Sequence, residues 1–385
     1  MKKQTNKDLL EDLIAIPSYL RPSEPSLNEN AVVDYLERWV TTNTDFGVER
    51  QPLPGGRYNL IVKSGTPKTL FLAHTDTVPP ASDSAFNQLI PAIKQGALYG
   101  RGATDMKSGI VSLLVMLINP VAKNKNFWIV FYADEEYDFL GMREFIAAYP
   151  NLKPELLVSA DGSDLQLGFG CRGLIELSAR IVGKTGHPGK GTKSSAILGM
   201  ARCIGALEQL IQRYSTPALG SSILNVAYIL GGQTIEESFA EGKLVAVGKQ
   251  ANVVPDICEA VIEIRTADAA LTAKRVLKRI NTVCTKLGLK LELAEVRHDL
   301  GAMISRPKQL AFLESLNEVG FTRYSKANMT GYLDMQMAWE KYGQPPAVMF
   351  GSGIGASAHT NQEHIRLADL ERGQDFFTVV INKIG

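Results

Sequence analysis

Apolar residues fall into two textures along the chain. Asn59–Val62, Thr69–Ala73, Phe127–Ala133 and Leu156–Ala160 are short runs of Val, Ile, Leu and aromatics that are apolar on both faces. Such runs predict strands covered on both sides, as in a layered α/β sheet. Between them, Ala31–Val40 sets Val32, Val33, Tyr35, Leu36 and Trp39 on one side, and Lys107–Ile118 is almost wholly apolar. Both have the length of crossover helices.

From about Leu174 the texture changes. Leu174–Val182, Ile223–Leu230, Glu259–Arg265 and Lys290–Val296 alternate, while Ser194–Tyr214 and Leu271–Leu287 read as helices. Strands with one wet face and helices on the other predict a smaller α+β unit. Beyond about Leu300 the first texture returns, with a helix expected over Pro307–Val319 and a strand over Ala347–Phe350. The pattern predicts an α/β unit built from residues 1–174 and 297–385, interrupted by a second unit at 175–296.

At 385 residues the chain is long enough for two cores. Lys and Arg number 41 against 40 Asp and Glu, so the positive excess that draws nucleic acid or an anionic membrane is missing, and neither partner is expected. The four cysteines stand singly without a Cys-x-x-Cys pair, which argues against a disulfide framework or a zinc knuckle. Met1-Lys2-Lys3 leads into Lys7, Asp8, Glu11 and Asp12 with no apolar signal region. The longest apolar run, Ile110–Ile118, is half the length of a membrane span, so a cytoplasmic location is expected.

Chemistry enters where the doubly apolar strands end. His74 and Asp76 follow Thr69–Ala73, Glu135 and Glu136 follow Phe127–Ala133, Asp161 follows Leu156–Ala160, and Gly351 to His359 follow Ala347–Phe350. Asp105 sits just before the Lys107–Ile118 helix. The carboxyl ends of strands in an open parallel sheet share one edge, so these residues can converge there. Two unit charges 4 Å apart repel by about 4 kcal/mol at an effective dielectric of about 20, so gathering Asp105, Glu135, Glu136 and Asp161 implies cations. Imidazoles with carboxylates suit zinc, and the supply of acids fits two ions. His74 and Asp76 share a face of extended chain, so Asp76 can orient the imidazole. Of the adjacent Glu135 and Glu136, one can bind metal while the other stays free as a general base.

Plainer readings compete. Asp134-Glu135-Glu136 with Asp138 could be a solvated acidic loop, and Asp164 rivals Asp161 but reads as a turn residue. His298 and His364 read as surface histidines, with His364 opening the last helical stretch. Gly168-Phe169-Gly170-Cys171-Arg172-Gly173 has dinucleotide-loop spacing, yet an alternating strand follows where that site needs a helix. Gly183-Lys184-Thr185 lacks the first glycine of a phosphate loop, so neither nicotinamide nor ATP is expected.

Leu72-Ala73-His74-Thr75-Asp76, Gly100-Arg101-Gly102-Ala103-Thr104-Asp105-Met106-Lys107, Asp134-Glu135-Glu136 and His359-Thr360-Asn361-Gln362-Glu363 occur in that order over nearly the whole chain. Together they resemble the co-catalytic zinc metallopeptidases that include succinyl-diaminopimelate desuccinylase, acetylornithine deacetylase, aminoacylase, glutamate carboxypeptidase and carnosinase. The resemblance implies a zinc-exopeptidase-like mixed sheet flanked by helices, with an inserted ferredoxin-like lid and dimerisation domain. It implies two divalent ions, zinc or else cobalt or manganese, with Asp105 bridging them, His74 and Asp161 completing one, and Glu136 and His359 the other. Glu135 would be the base, and the Asp105-Met106 peptide would be cis.

By the same resemblance, His187 in Thr185-Gly186-His187-Pro188-Gly189 matches a lid histidine that reaches a partner subunit's site in a homodimer and steadies the oxyanion. Asn252, Arg265 and the loop from Gly351 would hold substrate, the guanidinium taking both oxygens of a carboxylate. Two departures stand out. Asp161 occupies a place where deacylases and desuccinylases carry Glu before Pro-Thr, Asp being commoner in the peptidase and aminopeptidase branches. The lid reads His187-Pro188-Gly189-Lys190-Gly191 in place of His-Ser-Ser or His-Ala. The implied function is hydrolysis of an amide or peptide bond in a small carboxylate-bearing substrate, a dipeptide or an N-acyl amino acid, by a metal-bridging water that Glu135 deprotonates. The alternatives are a dedicated N-acyl amino acid deacylase or desuccinylase, and a catalytically silent peptide-binding homologue.

Overall fold

The computed structural model describes residues 4–21, 23–305, 316, 320–323 and 331–384. They divide into two units, Met1–Phe169 with Ser305–Ser325 and Leu333–Gly385, and Gly170–Ile304 with Lys326–Tyr332. The Pro307–Val319 helix expected from the pattern lies, but for Leu316, outside the described residues.

The larger unit is built on a six-stranded sheet in the order Gly47–Leu53, Arg57–Ser64, Phe127–Tyr132, Thr69–His74, Leu156–Ser159, Ala347–Met349. The first two pairings are antiparallel and the remaining three parallel, so the sheet is mixed. Every residue of Thr69–His74 and Phe127–Tyr132 is buried, as runs apolar on both faces require. Gly47–Leu53 was invisible to the pattern because Glu49, Arg50 and Gln51 interrupt it, which suits an edge strand. Leu9 and Leu13 of Asn6–Ala15, Val33 and Leu36 of Asn30–Asn43, Ile110 and Leu114 of Ser108–Leu117, and Phe377 of Leu367–Lys383 share one core with Phe71 and Phe127. Each such side chain contributes about 1.5–3 kcal/mol by leaving water. A Cβ on Gly109 would lie 2.0 Å from the Ala160 carbonyl oxygen, so glycine lets this helix start close against the strand end that precedes Asp161.

The smaller unit holds an antiparallel sheet in the order Ile223–Gly232, Ile257–Thr266, Gly173–Val182, Lys290–Leu300. Helices Ala196–Ile211 and Ala273–Leu287 pack on Ile175, Leu177, Ile181, Ile262 and Ile264. The layered mixed sheet and the separate smaller sheet are the two architectures that the pattern predicted. Gly173–Val182 opens directly after Gly168–Cys171, so no helix N-terminus follows that glycine run.

One histidine departs from expectation here. The last strand runs to Leu300, and His298 is 3% exposed, not a surface residue. At the register shift between Glu176 and Leu177, Val296 pairs with Leu177 and His298 with Glu176, so the two lie on opposite faces of the strand, Val296 exposed and His298 buried. Among the described residues, no helix is long and apolar enough to cross a membrane.

Candidate metal centre

The parallel strands of the larger unit deliver their carboxyl ends to one edge. His74 is the last residue of its strand and pairs in register with Tyr132, after which the chain turns through Ala133, Asp134, Glu135 and Glu136. Its imidazole is 1% exposed, with Nε2 3.0 Å from Asp105 Oδ1. The other Asp105 oxygen, Oδ2, lies 3.1 Å from His359 Nε2, which is itself 3.0 Å from Glu136 Oε1. Asp105 thus offers one oxygen to each imidazole, the disposition a bridging carboxylate needs. Ligand atoms of His74, Asp105 and Glu136 all lie within 4.8 Å of one another. Asp161 is outside that trio, although its carboxyl feels the charges of Asp105, His74 and Glu136.

The backbone is shaped to make these approaches. Gly102 has φ 82° at the start of the turn that carries Asp105, the Asp105–Met106 peptide is cis, and His359 has φ 62°, a left-handed conformation uncommon outside glycine. A Cβ on Gly353 would come 2.2 Å from Thr104 O, and one on Gly351 2.3 Å from Asp161 O. Glycine is therefore required for the 351–353 loop to lie against both acid-bearing segments. Asp164 braces the same loop, accepting a hydrogen bond from Gly355 N at 3.1 Å.

Asp76 does more than orient a ring. His74 Nδ1 lies 3.1 Å from the Asp76 carbonyl oxygen and 3.5 Å from its carboxylate, so the backbone is the nearer acceptor. With Nδ1–H donating there, Nε2 keeps its lone pair for a cation. The Asp76 carboxylate instead accepts from Glu135 N at 3.1 Å and Glu136 N at 2.9 Å, fixing the acidic turn. Asn59 accepts from Ala133 N and donates to Gly141 O, and Arg57 pairs with Asp134 at 2.9 Å and with Glu29. The acidic segment is a braced loop, not a solvated one.

Burial pushes the Glu135 carboxyl well above its ordinary range, and Asp334, Glu136 and Asp161 add to it. Burial, then Asp105, raises Asp161 to about 7, and the same two causes raise Glu136. His359 is raised to about 10 by hydrogen bonds to Asp105 and Glu136. Against the opposing pull of burial, Asp105 and Asp76 hold the His74 imidazole well above its usual value. Asp105 goes the other way: burial would raise it, but His359 and His74 hold it below the carboxylate range. The cluster is thus an excess of buried acid sharing protons with two imidazoles. Divalent cations would favour ionised acids and neutral imidazoles, so this donor set fits them.

Sequence reasoning missed Asp334, which is wholly buried and raised to about 7 by burial against the opposing effect of Tyr132. An acid wedged between Leu333 and Met335 was the available signal. His364 is not a free surface residue at a helix start: it lies in the short strand His364–Arg366, paired to Ala97–Tyr99, and stacks on Tyr99 at 4.8 Å. The apolar Ile365 between two polar neighbours gives that segment its strand alternation.

The remaining candidates belong to the smaller unit. His187 is exposed and accepts from Gly189 N at 3.1 Å, capping a tight turn. Asn252 is exposed in a turn. Arg265 pairs with Glu263 at 2.8 Å and lies 4.4 Å over the Tyr332 ring.

Residues 70–383 match the family model for peptidase family M20/M25/M40. Acetylornithine deacetylase of Proteus mirabilis is 30% identical over 249 residues, covering 60% of this chain and 63% of that protein. The chain therefore spans under two thirds of the length of this curated relative. A metallo-carboxypeptidase of the M20 family from Sulfolobus solfataricus superposes with a TM-score of 0.75 at 16% identity, over 100% of this chain and 99% of that one. A Bacillus subtilis protein described as a dinuclear metal-binding peptidase of the M20 family gives 0.68 at 14% identity, over 98% and 96%. At such identities these two structures speak for the fold alone.

Proposed function

We propose that this chain, which belongs to peptidase family M20/M25/M40, is a metal-dependent hydrolase of an amide or peptide bond in a small carboxylate-bearing substrate, a dipeptide or an N-acyl amino acid. The observation that carries the reading is Asp105, with His74 on one carboxylate oxygen and His359 on the other. His74 and Asp161 would hold one divalent cation and Glu136 and His359 a second, with Asp105 common to both. Imidazole and carboxylate donors suit zinc, with cobalt and manganese as alternatives. Bound there, such ions supply Lewis acidity toward water and the amide carbonyl.

The chain's own groups do the rest. Glu135 takes a proton from the attacking water and returns it to the departing amine, and its burial suits a carboxyl that must both gain and lose a proton. Asp76 fixes the direction of His74 and the register of Glu135 and Glu136. Residues 175–296 form a lid between catalytic segments 1–174 and 297–385. In a cytoplasmic homodimer, His187 of this lid steadies the oxyanion in a partner's site, while Asn252, Arg265 and the Gly351 loop receive the substrate. Asp161 in place of Glu favours the peptide side of the substrate class, and the name of the Proteus mirabilis relative supports the acyl-amino acid side.

The test is to strip the protein with chelator and assay dipeptides alongside acetyl- and succinyl-amino acids. Hydrolysis should vanish and return with zinc, cobalt or manganese. Turnover unaffected by chelation contradicts the reading, and peptide binding without turnover favours the silent homologue.

A further inference from the structure

Two charged residues inside the matched motifs have no role so far. Arg101 and Glu363 are both buried, 2% and 0% exposed, and form an ion pair through Arg101 Nη1 and Glu363 Oε2. Stability alone is a weak reason for such a pair, since well-packed apolar replacements of buried ion pairs are often neutral. What distinguishes this one is where its remaining valences go. The other Glu363 oxygen accepts from Thr104 N at 3.1 Å and Asp105 N at 3.3 Å. Arg101 Nη2 donates at 3.3 Å to the carbonyl of Thr360, the residue after His359. Gln88 reinforces that end, donating to Thr360 O at 2.9 Å and accepting from Arg101 at 3.3 Å.

One pair therefore ties the backbone of Asp105 to the backbone beside His359, residues far apart in sequence whose side chains meet at 3.1 Å. We propose that the Arg101–Glu363 pair is a positioning device that sets the spacing of Asp105 and His359, and with it the affinity of the cation those two residues share. It touches neither cation nor substrate. The inference rests on the two-metal reading above and adds to it a difference between the sites. The cation on His74 and Asp161 shares Asp105 but not His359, so it should be the less sensitive of the two.

The experiment is zinc titration of the metal-free full chain against a chromophoric chelator, with thermal unfolding of each metal-free protein measured in parallel. Glu363→Gln keeps an acceptor for Thr104 N and Asp105 N but loses the charge that holds Arg101. Arg101→Met with Glu363→Gln removes both charges together. For each, one of the two zinc affinities should fall about 10–100-fold, as for other groups that orient metal ligands, while the second falls by a clearly smaller factor. Gln88→Leu, outside the ion pair, should weaken the same zinc by a smaller factor and serves if the others do not fold. Two affinities unchanged in all the variants that fold overturn the inference alone. So does a parallel fall of both with the melting temperature. A wild-type chain that takes up fewer than two zinc ions overturns the two-metal reading and this inference with it.

Discussion

The acidic edge of the larger unit and the candidate recognition residues of the smaller one are held in opposite ways. At the edge, His74, Glu135 and Glu136 are gripped by Asp76, and the loop that carries the two glutamates is clamped again by Asn59 and Arg57. In the smaller unit, His187 and Asn252 are exposed and Arg265 is tied to a neighbour on its own strand. Groups that hold cations and move protons within tenths of an ångström need such bracing, whereas exposed groups with few contacts can change without disturbing the scaffold. In the proposed function the cation ligands and the base would come from the braced unit, and the contacts of His187, Asn252 and Arg265 from the other.

Three substitutions would break or sharpen that division. The largest effect is expected from Glu135→Gln: kcat should fall about 10²–10⁴-fold with the metal content unchanged, measured by steady-state kinetics beside elemental analysis. Loss of metal in step with activity would make Glu135 a ligand and not the base. Asp76→Asn comes next. An amide cannot accept from both Glu135 N and Glu136 N as the carboxylate does, so metal affinity should fall about 10–100-fold in a chelator competition. An unchanged affinity would remove Asp76 from the account. Smallest is Arg265→Ala, which should lower kcat/KM about tenfold, mainly through KM, and leave metal binding alone. A change in metal affinity there would erase the boundary between the two roles.

Much of this was legible in the chain, for identifiable reasons. Thr69–His74 and Phe127–Tyr132 announce themselves because buried parallel strands must be apolar on both faces, and that locates the edge where His74 and Glu136 emerge. The close approach of Asp105 to His74 and His359 follows from that edge. Other features leave no local trace. His298 falls on the face opposite to Val296 because of a register shift against its partner strand, and Gly47–Leu53 carries too many charges to read as a strand. Arg57, Arg101 and Glu363 look like solvated polar residues until partners far along the chain are brought beside them. Sequence patterns report burial well and pairing across long separations poorly.

The most direct test of the central claim is anomalous diffraction at the zinc absorption edge from crystals of the zinc-loaded chain. The account predicts two peaks flanking the Asp105 carboxylate, one against His74 and the other against His359. A single peak, or zinc bound away from Asp105, would contradict it.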